Sequence, residues 1–229
     1  MKTPDSCCDL KTCFLCRHSF EGWMPLIEAN RENRRYRKGE RIFEEGRPVQ
    51  GIYFLYSGKV KVHKRWGQEK ELILHFAKKG DMLGFRGLGN RQVYPVSATA
   101  LEPVTVCFVN LDFFENSLQV NPQLTYRLLK FYTNELQEAE KRMRNLAHME
   151  VKGRVAETLL LLKKRFGQNR DGFLNITLTR QDMASFAGTT YETVFRVMSD
   201  LVADKLIKVS GKKTGILKEA QLLALVGNE

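Results

Sequence analysis

Thr179-Arg180-Gln181-Asp182-Met183-Ala184-Ser185-Phe186-Ala187-Gly188-Thr189-Thr190-Tyr191-Glu192-Thr193-Val194-Phe195-Arg196-Val197-Met198 is the stretch whose reading decides the fold. Thr179 suits the N-cap of a helix running from about Arg180 to Ala187. Ala184 is small where two helices must come close, and Gly188 permits a sharp turn. Thr190 suits the cap of a second helix reaching about Asp204, with Val194, Val197, Met198 and Leu201 on its inner face. Tyr191, Glu192, Phe195 and Arg196 are then left facing outward, Glu192 and Arg196 one turn apart. This is helix-turn-helix grammar. On an arbitrary helix an exposed Glu–Arg pair is a surface ion pair of little worth. On the second helix of this motif it suits the major groove, where arginine donates to guanine O6 and N7 and a carboxylate accepts from cytosine N4. Residues 206–217 read as a small β-wing turning on Gly211 and Gly215.

Working outward, Val155 to Phe166 reads as an amphipathic helix ended by Gly167, and Asp171 to Thr177 as a loop with a short strand. Asn121-Pro122 opens a longer helix, because proline suits the first helical turn and neither proline nor glycine recurs before Gly153. Leu129, Tyr132, Leu136, Ala139, Met143 and Leu146 recur there at steps of three and four, a coiled-coil-like seam that predicts pairing with a second copy. The charges at Glu138, Glu140, Lys141, Arg142 and Arg144 fit a solvated exterior.

From about Tyr36 to Leu111 short apolar runs alternate with glycines, as in an antiparallel barrel or roll. Lys59 to His63 alternates with period two. Residues 1–20 hold four of the five cysteines: Cys7, Cys8, Cys13 and Cys16. The expected organisation is a Cys-rich leader (1–23), a β-roll sensor (24–120), a dimerisation helix (121–150) and a winged helix-turn-helix (151–229). The fold class is α+β.

The 229 residues suffice for two modest cores. Lys plus Arg number 37 against 26 Asp plus Glu, a net charge of +11 that points to a polyanionic partner. No apolar run approaches the roughly 20 residues that span a bilayer, and the N-terminus lacks the layout of a secretory signal. A cytoplasmic protein without a membrane partner is expected. In a reducing compartment a cysteine cluster reads as a metal or redox site rather than a disulfide framework. No nucleophile–base arrangement, phosphate-cradling glycine loop or thioredoxin-like βαβ context is visible, so the chain does not read as an enzyme.

The stretch Thr179 to Val209 resembles the DNA-binding motif of the Crp/Fnr family of bacterial transcription regulators. Lys38-Gly39-Glu40-Arg41-Ile42-Phe43-Glu44-Glu45-Gly46, Tyr53 to Lys61 and Gly80-Asp81-Met82-Leu83-Gly84 agree with it upstream. The resemblance covers roughly residues 30–225. It implies a cyclic-nucleotide-binding-type β-roll, a dimer helix and a winged helix-turn-helix. It further implies double-stranded DNA and RNA polymerase as partners, Glu192 and Arg196 as base readers, and Arg180 as a backbone contact, with Thr190, Tyr191 and Phe195 beside them.

For the signal, the cyclic-AMP-binding members carry a Gly-Glu pair and, about ten residues on, an Arg-Ser pair that holds the phosphate. This chain has Gly84-Phe85 and, near the second position, Gln92-Val93. Cyclic AMP is therefore not expected, and an effector pocket would draw on Phe85 with Arg86 and Arg91 as substitutes. The segments Gly80 to Phe85 and Glu102 to Cys107 resemble the oxygen-sensing branch named for fumarate and nitrate reduction. That branch holds an iron–sulfur cluster on three leader cysteines and one from the β-roll. The resemblance implies a [4Fe–4S] cluster on Cys107, Cys13, Cys16 and Cys7 or Cys8. The leader spacing Cys8-x4-Cys13-x2-Cys16 reverses the branch's usual order of gaps. With His18 alongside, zinc or thiol redox chemistry stays open, as does a buried packing role for Cys107. His63, His75 and His148 carry no specific haem signature.

Overall fold

The computed structural model describes residues 12–67 and 70–227. Its elements run α1 (Phe14–His18), a 3-10 turn (Glu21–Trp23), α2 (Met24–Asn30), then β1 (Arg31–Tyr36), β2 (Arg41–Phe43), β3 (Gly51–Ser57), β4 (Val60–Trp66), β5 (Lys70–Ala77) and β6 (Met82–Leu83). A second 3-10 turn (Phe85–Gly87) precedes β7 (Ser97–Ala100) and β8 (Val104–Asn110), followed by α3 (Leu111–Val120) and α4 (Pro122–His148). The rest comprises α5 (Val151–Phe166), α6 (Arg180–Ala187), α7 (Tyr191–Ala203), β9 (Ile207–Ser210), β10 (Lys213–Ile216) and α8 (Glu219–Val226). The chain divides into two compact units, one holding residues up to 65 and 74–135, the other 66–73 and 136–229.

The first unit is a β-roll of two four-stranded sheets, ordered β1-β8-β3-β6 and β2-β7-β4-β5. Strand alternation gives the first sheet two faces. Tyr53, Leu55, Val104, Val106 and Phe108 enter the core between the sheets. Ile52, Phe54, Cys107 and Val109 point the other way, into a second core closed by Leu15, Ile27, Phe113, Phe114, Leu124 and Leu128 from the helices. The leader's second half is thus part of the sensor's own core. Its attachment is polar as well: the Trp23 indole donates to Ser117 Oγ at 2.9 Å and Phe20 N–H to Asn121 Oδ1 at 3.1 Å.

β1 departs from the sequence expectation, which starts the strands near Tyr36. Arg-Glu-Asn-Arg-Arg-Tyr has no apolar alternation. It becomes a strand because β8 offers it a ladder from Arg31↔Val109 to Tyr36↔Val104. Its arginines still find apolar surface, since the Arg34 guanidinium lies 3.4 Å from the Phe108 ring centroid.

In the second unit α5 begins at Val151, four residues before the expected start, and Gly153 lies inside it. That glycine is a packing residue. A Cβ there would sit 2.9 Å from the Leu225 carbonyl oxygen of α8. The helical break falls at residues 149–150 instead. The wing is the hairpin β9–β10, with Ile216 opposite Ile207. Gly215 lies within β10 rather than at the turn, leaving Gly211 (φ +57) as the pivot.

Candidate nucleic-acid interface and sensory site

The two helix-turn-helix helices occupy the expected positions, and local chemistry explains why. Thr179 accepts from Asp182 N–H at 3.0 Å while Thr179 N–H donates to the Asp182 carboxylate, a reciprocal capping box for α6. α6 ends at Gly188 in the left-handed region (φ +65), and a Cβ there would meet Leu146 Cδ2 at 2.4 Å. Only glycine makes that turn against the end of α4. Thr190 caps α7, accepting from Thr193 N–H at 3.3 Å. Val194, Val197, Met198 and Leu201 are buried and lock the rotation of α7.

Locked in this way, α7 presents Tyr191, Glu192, Phe195 and Arg196 to solvent. Glu192 takes hydrogen bonds from its own backbone N–H and from Thr190, which hold its carboxyl below the usual range, so it faces outward ionised. Tyr191 and Phe195 stack with ring centroids 6.4 Å apart at 17°. Arg180 opens α6 half-buried, and burial lowers its pKa. Lys212 and Lys213 are exposed on the wing, where cations suit phosphates.

Two arginines that sequence reasoning did not assign hold this motif in place. Arg154 donates from Nε to the Ala187 carbonyl at 2.9 Å and from Nη2 to that of Gly188 at 3.3 Å. Arg142, expected on the solvated face of α4, donates from Nη2 to the carbonyls of Phe186 and Ile73, both at 2.6 Å. Its guanidinium also lies 4.1 Å from the Phe186 ring centroid, and burial pushes its pKa down to about 10. Both side chains satisfy carbonyls that the C-terminus of α6 leaves unpaired, and add charge of the favourable sign there. Neither role has a local sequence signal.

Along the seam of α4, Leu129, Leu136 and Met143 are exposed large apolar side chains, and Ala139 is exposed beside them. Tyr132 instead turns inward and donates from Oη to the Phe85 carbonyl at 2.5 Å. Leu146 is half-buried against the Gly188 turn.

The region of the expected effector pocket is nearly filled. Phe43, Val62, His75, Leu83, Gly84, Phe85, Arg86, Tyr94, Pro95 and Val96 enclose about 10 Å³, room for about one water. The Phe43 and Tyr94 rings stack at 4.4 Å across it. Arg86 is paired with Glu135 at 2.7 Å. Arg91 is exposed and outside the lining.

Cys13, Cys16 and Cys107 are all buried, at 5–6% exposure, within one apolar cluster. Cys107 lies in the middle of β8, opposite Asn33 of β1 and Phe54 of β3. Phe14, Trp23, Phe131 and Tyr132 pack around the same cluster. His18 stacks edge-on to Phe14, with its pKa lowered by burial and then by Arg17 and Arg127. Among the described residues no three His, Cys, Asp or Glu side chains are drawn together as a metal-binding group. Cys7 and Cys8 lie outside the described residues. Cys13, Cys16 and Cys107 thus offer three thiols of the donor type an iron–sulfur cluster takes, within one apolar cluster but not gathered into a metal-binding arrangement.

A β-roll sensor followed by a winged helix-turn-helix defines a one-component DNA-binding transcription regulator. The chain matches the cyclic nucleotide-binding domain over residues 33–121 and the Crp-like helix-turn-helix domain over 153–225. The "Anaerobic regulatory protein" of Bacillus subtilis is 32% identical over 82% of this chain and 81% of its own length. The "Fumarate and nitrate reduction regulatory protein" of Vibrio cholerae is 29% identical over 83% and 76%. A "CRP-like cAMP-activated global transcriptional regulator" of Mycobacterium tuberculosis is 29% identical over 82% and 84%. The structure of FixK2 from Bradyrhizobium japonicum superposes with a TM-score of 0.78 at 26% identity, covering 87% of this chain and 98% of that one. The chain belongs to the Crp/Fnr family. Among the described residues no helix is long and apolar enough to cross a membrane.

Proposed function

We propose that the chain is a homodimeric, cytoplasmic regulator that reads a palindromic operator with Glu192 and Arg196. It acts on RNA polymerase and responds to oxygen or redox state. The observation that carries the DNA-reading half is the orientation of α7, which buries one face and offers both side chains to solvent. Half-sites related by the two-fold axis lie about one helical turn apart, and the resemblance to the Crp/Fnr family implies a core like TGA or TGT. Arg196→Ala is expected to cost about 1–3 kcal/mol per half-site and to relax the preference at one G·C pair. Arg180→Ala should weaken all sequences alike and flatten the salt dependence. Binding titrations against operator variants test both, and a uniform loss in Arg196→Ala would falsify base reading.

The sensing half is supported by the common burial of Cys13, Cys16 and Cys107. These three, with Cys7 or Cys8, would hold a [4Fe–4S] cluster, which supplies an oxygen-labile centre when bound. The chain's own contribution is exclusion of water by Phe14, Phe85, Phe131 and Trp23. The relatives named above differ in the signals their names give. This chain's own residues argue against cyclic AMP. A drug-sized ligand needs a pocket of roughly 300 Å³ or more, and the aromatic stack leaves about 10 Å³. A bound phosphate would also have to draw Arg86 from Glu135. Calorimetry with cyclic AMP is expected to give no heat at micromolar protein. Micromolar binding would overturn this and point to Arg86 or Arg91 as the clamp.

A further inference from the structure

Phe195 is 56% exposed and Tyr191 45% exposed, on the same face as Glu192 and Arg196. Two large rings on that face are unlike the polar side chains that serve a helix needing only solubility. As a local pair they contribute about 0.2–0.5 kcal/mol to helix stability, whereas burying one aromatic ring yields about 1.5–3 kcal/mol. The larger gain is therefore withheld until something covers them. Their position beside the base readers names the occupant as the major groove. There the one apolar group on any unmodified base edge is the thymine C5 methyl.

We propose that Phe195, with Tyr191 stacked behind it, is a specificity-determining reader of a thymine methyl next to the pair contacted by Arg196. The inference rests on the base-reading assignment of Glu192 and Arg196. The near-parallel stack at 17° restricts the Phe195 ring, so less side-chain entropy is lost on binding. Phe195 is three residues after Glu192 and one before Arg196. Its contact therefore falls within the same half-site rather than on flanking backbone. A phenyl ring has no hydrogen-bonding group for a cytosine edge, so methyl packing is the discrimination it can supply.

The test uses the full-length protein and a palindromic duplex of two TGA-containing half-sites. Each thymine is replaced in turn by deoxyuridine, which deletes the methyl and keeps the hydrogen-bonding edge. Affinity of the wild type is expected to fall about fourfold for one half-site and about fifteenfold for both, at a single thymine position. Phe195→Ala, at an exposed site, should bind the thymine and uracil duplexes equally while still rejecting a changed G·C pair. Phe195→Leu should keep part of the methyl dependence. Wild-type indifference to uracil at every position overturns the proposal, as does methyl dependence that survives in Phe195→Ala. Failure of the wild type to discriminate the G·C pair would overturn the base-reading assignment and the inference with it.

Discussion

Leu136→Glu combined with Met143→Glu is expected to give a monomer that no longer binds its operator. The two side chains are 60% and 65% exposed on α4, and Leu129, seven residues before Leu136, is 63% exposed. A helix in a soluble protein keeps such a row only if a partner covers it. Burying four of these side chains across a two-fold axis contributes on the order of 6–12 kcal/mol. The glutamates remove that and set four like charges together. Operator binding fails because two half-sites are held by one linked pair of recognition helices, and losing the linkage forfeits about 10²–10⁴ in affinity. Sedimentation velocity and a gel-shift titration read the two effects. An unchanged dimer would exclude this face as the interface. Folding should survive, since both side chains are largely exposed.

The seam is narrower than its sequence pattern. Steps of three and four identify which residues share a face, but not whether a neighbouring element already covers part of it. Tyr132 is drawn inward by the Phe85 carbonyl, and Glu135 by Arg86. Both bonds join α4 to the short turn after β6, a contact far apart in sequence. The helix-turn-helix was legible because its determinants are local: two threonine caps, a left-handed glycine and a four-residue apolar stripe. β1 and the Arg142 clasp were not. β1 owes its conformation to β8, whereas α3 carries an equally local cap, Asn110 accepting from Phe113 N–H at 2.8 Å, which the sequence reading passed over. Arg142 reads as solvated in any helical projection, until the carbonyls of Ile73 and Phe186 are seen beside it. The cysteine spacing singled out the leader, but only the period-two alternation of β8 explains why Cys107 faces it. With Val106 and Phe108 turned into the roll, Cys107 and Val109 must face the helices.

Cys107→Ser, purified without oxygen, is expected to lose nearly all iron where the wild type carries about four per chain. The exchange changes one atom, so the β8 ladder to Asn33 and Phe54 should persist. A buried hydroxyl replacing a thiol costs about 1–3 kcal/mol at most, a stability change that thermal unfolding measures separately from iron content. Oxygen response of operator affinity should vanish with the iron. The expected route is α4: Leu124 and Leu128 lie in the cysteines' cluster, and the same helix carries Leu136 and Met143 further on. A change in that cluster can then bias the dimer seam, and linkage makes the dependence mutual, so operator DNA should in turn slow loss of iron to oxygen. Retained iron in Cys107→Ser would assign all ligands to the leader. Zinc without iron in the wild type would replace the cluster with a tetrahedral site. Loss of iron with anaerobic operator affinity unchanged would separate the metal from DNA control and leave the route through α4 without a role.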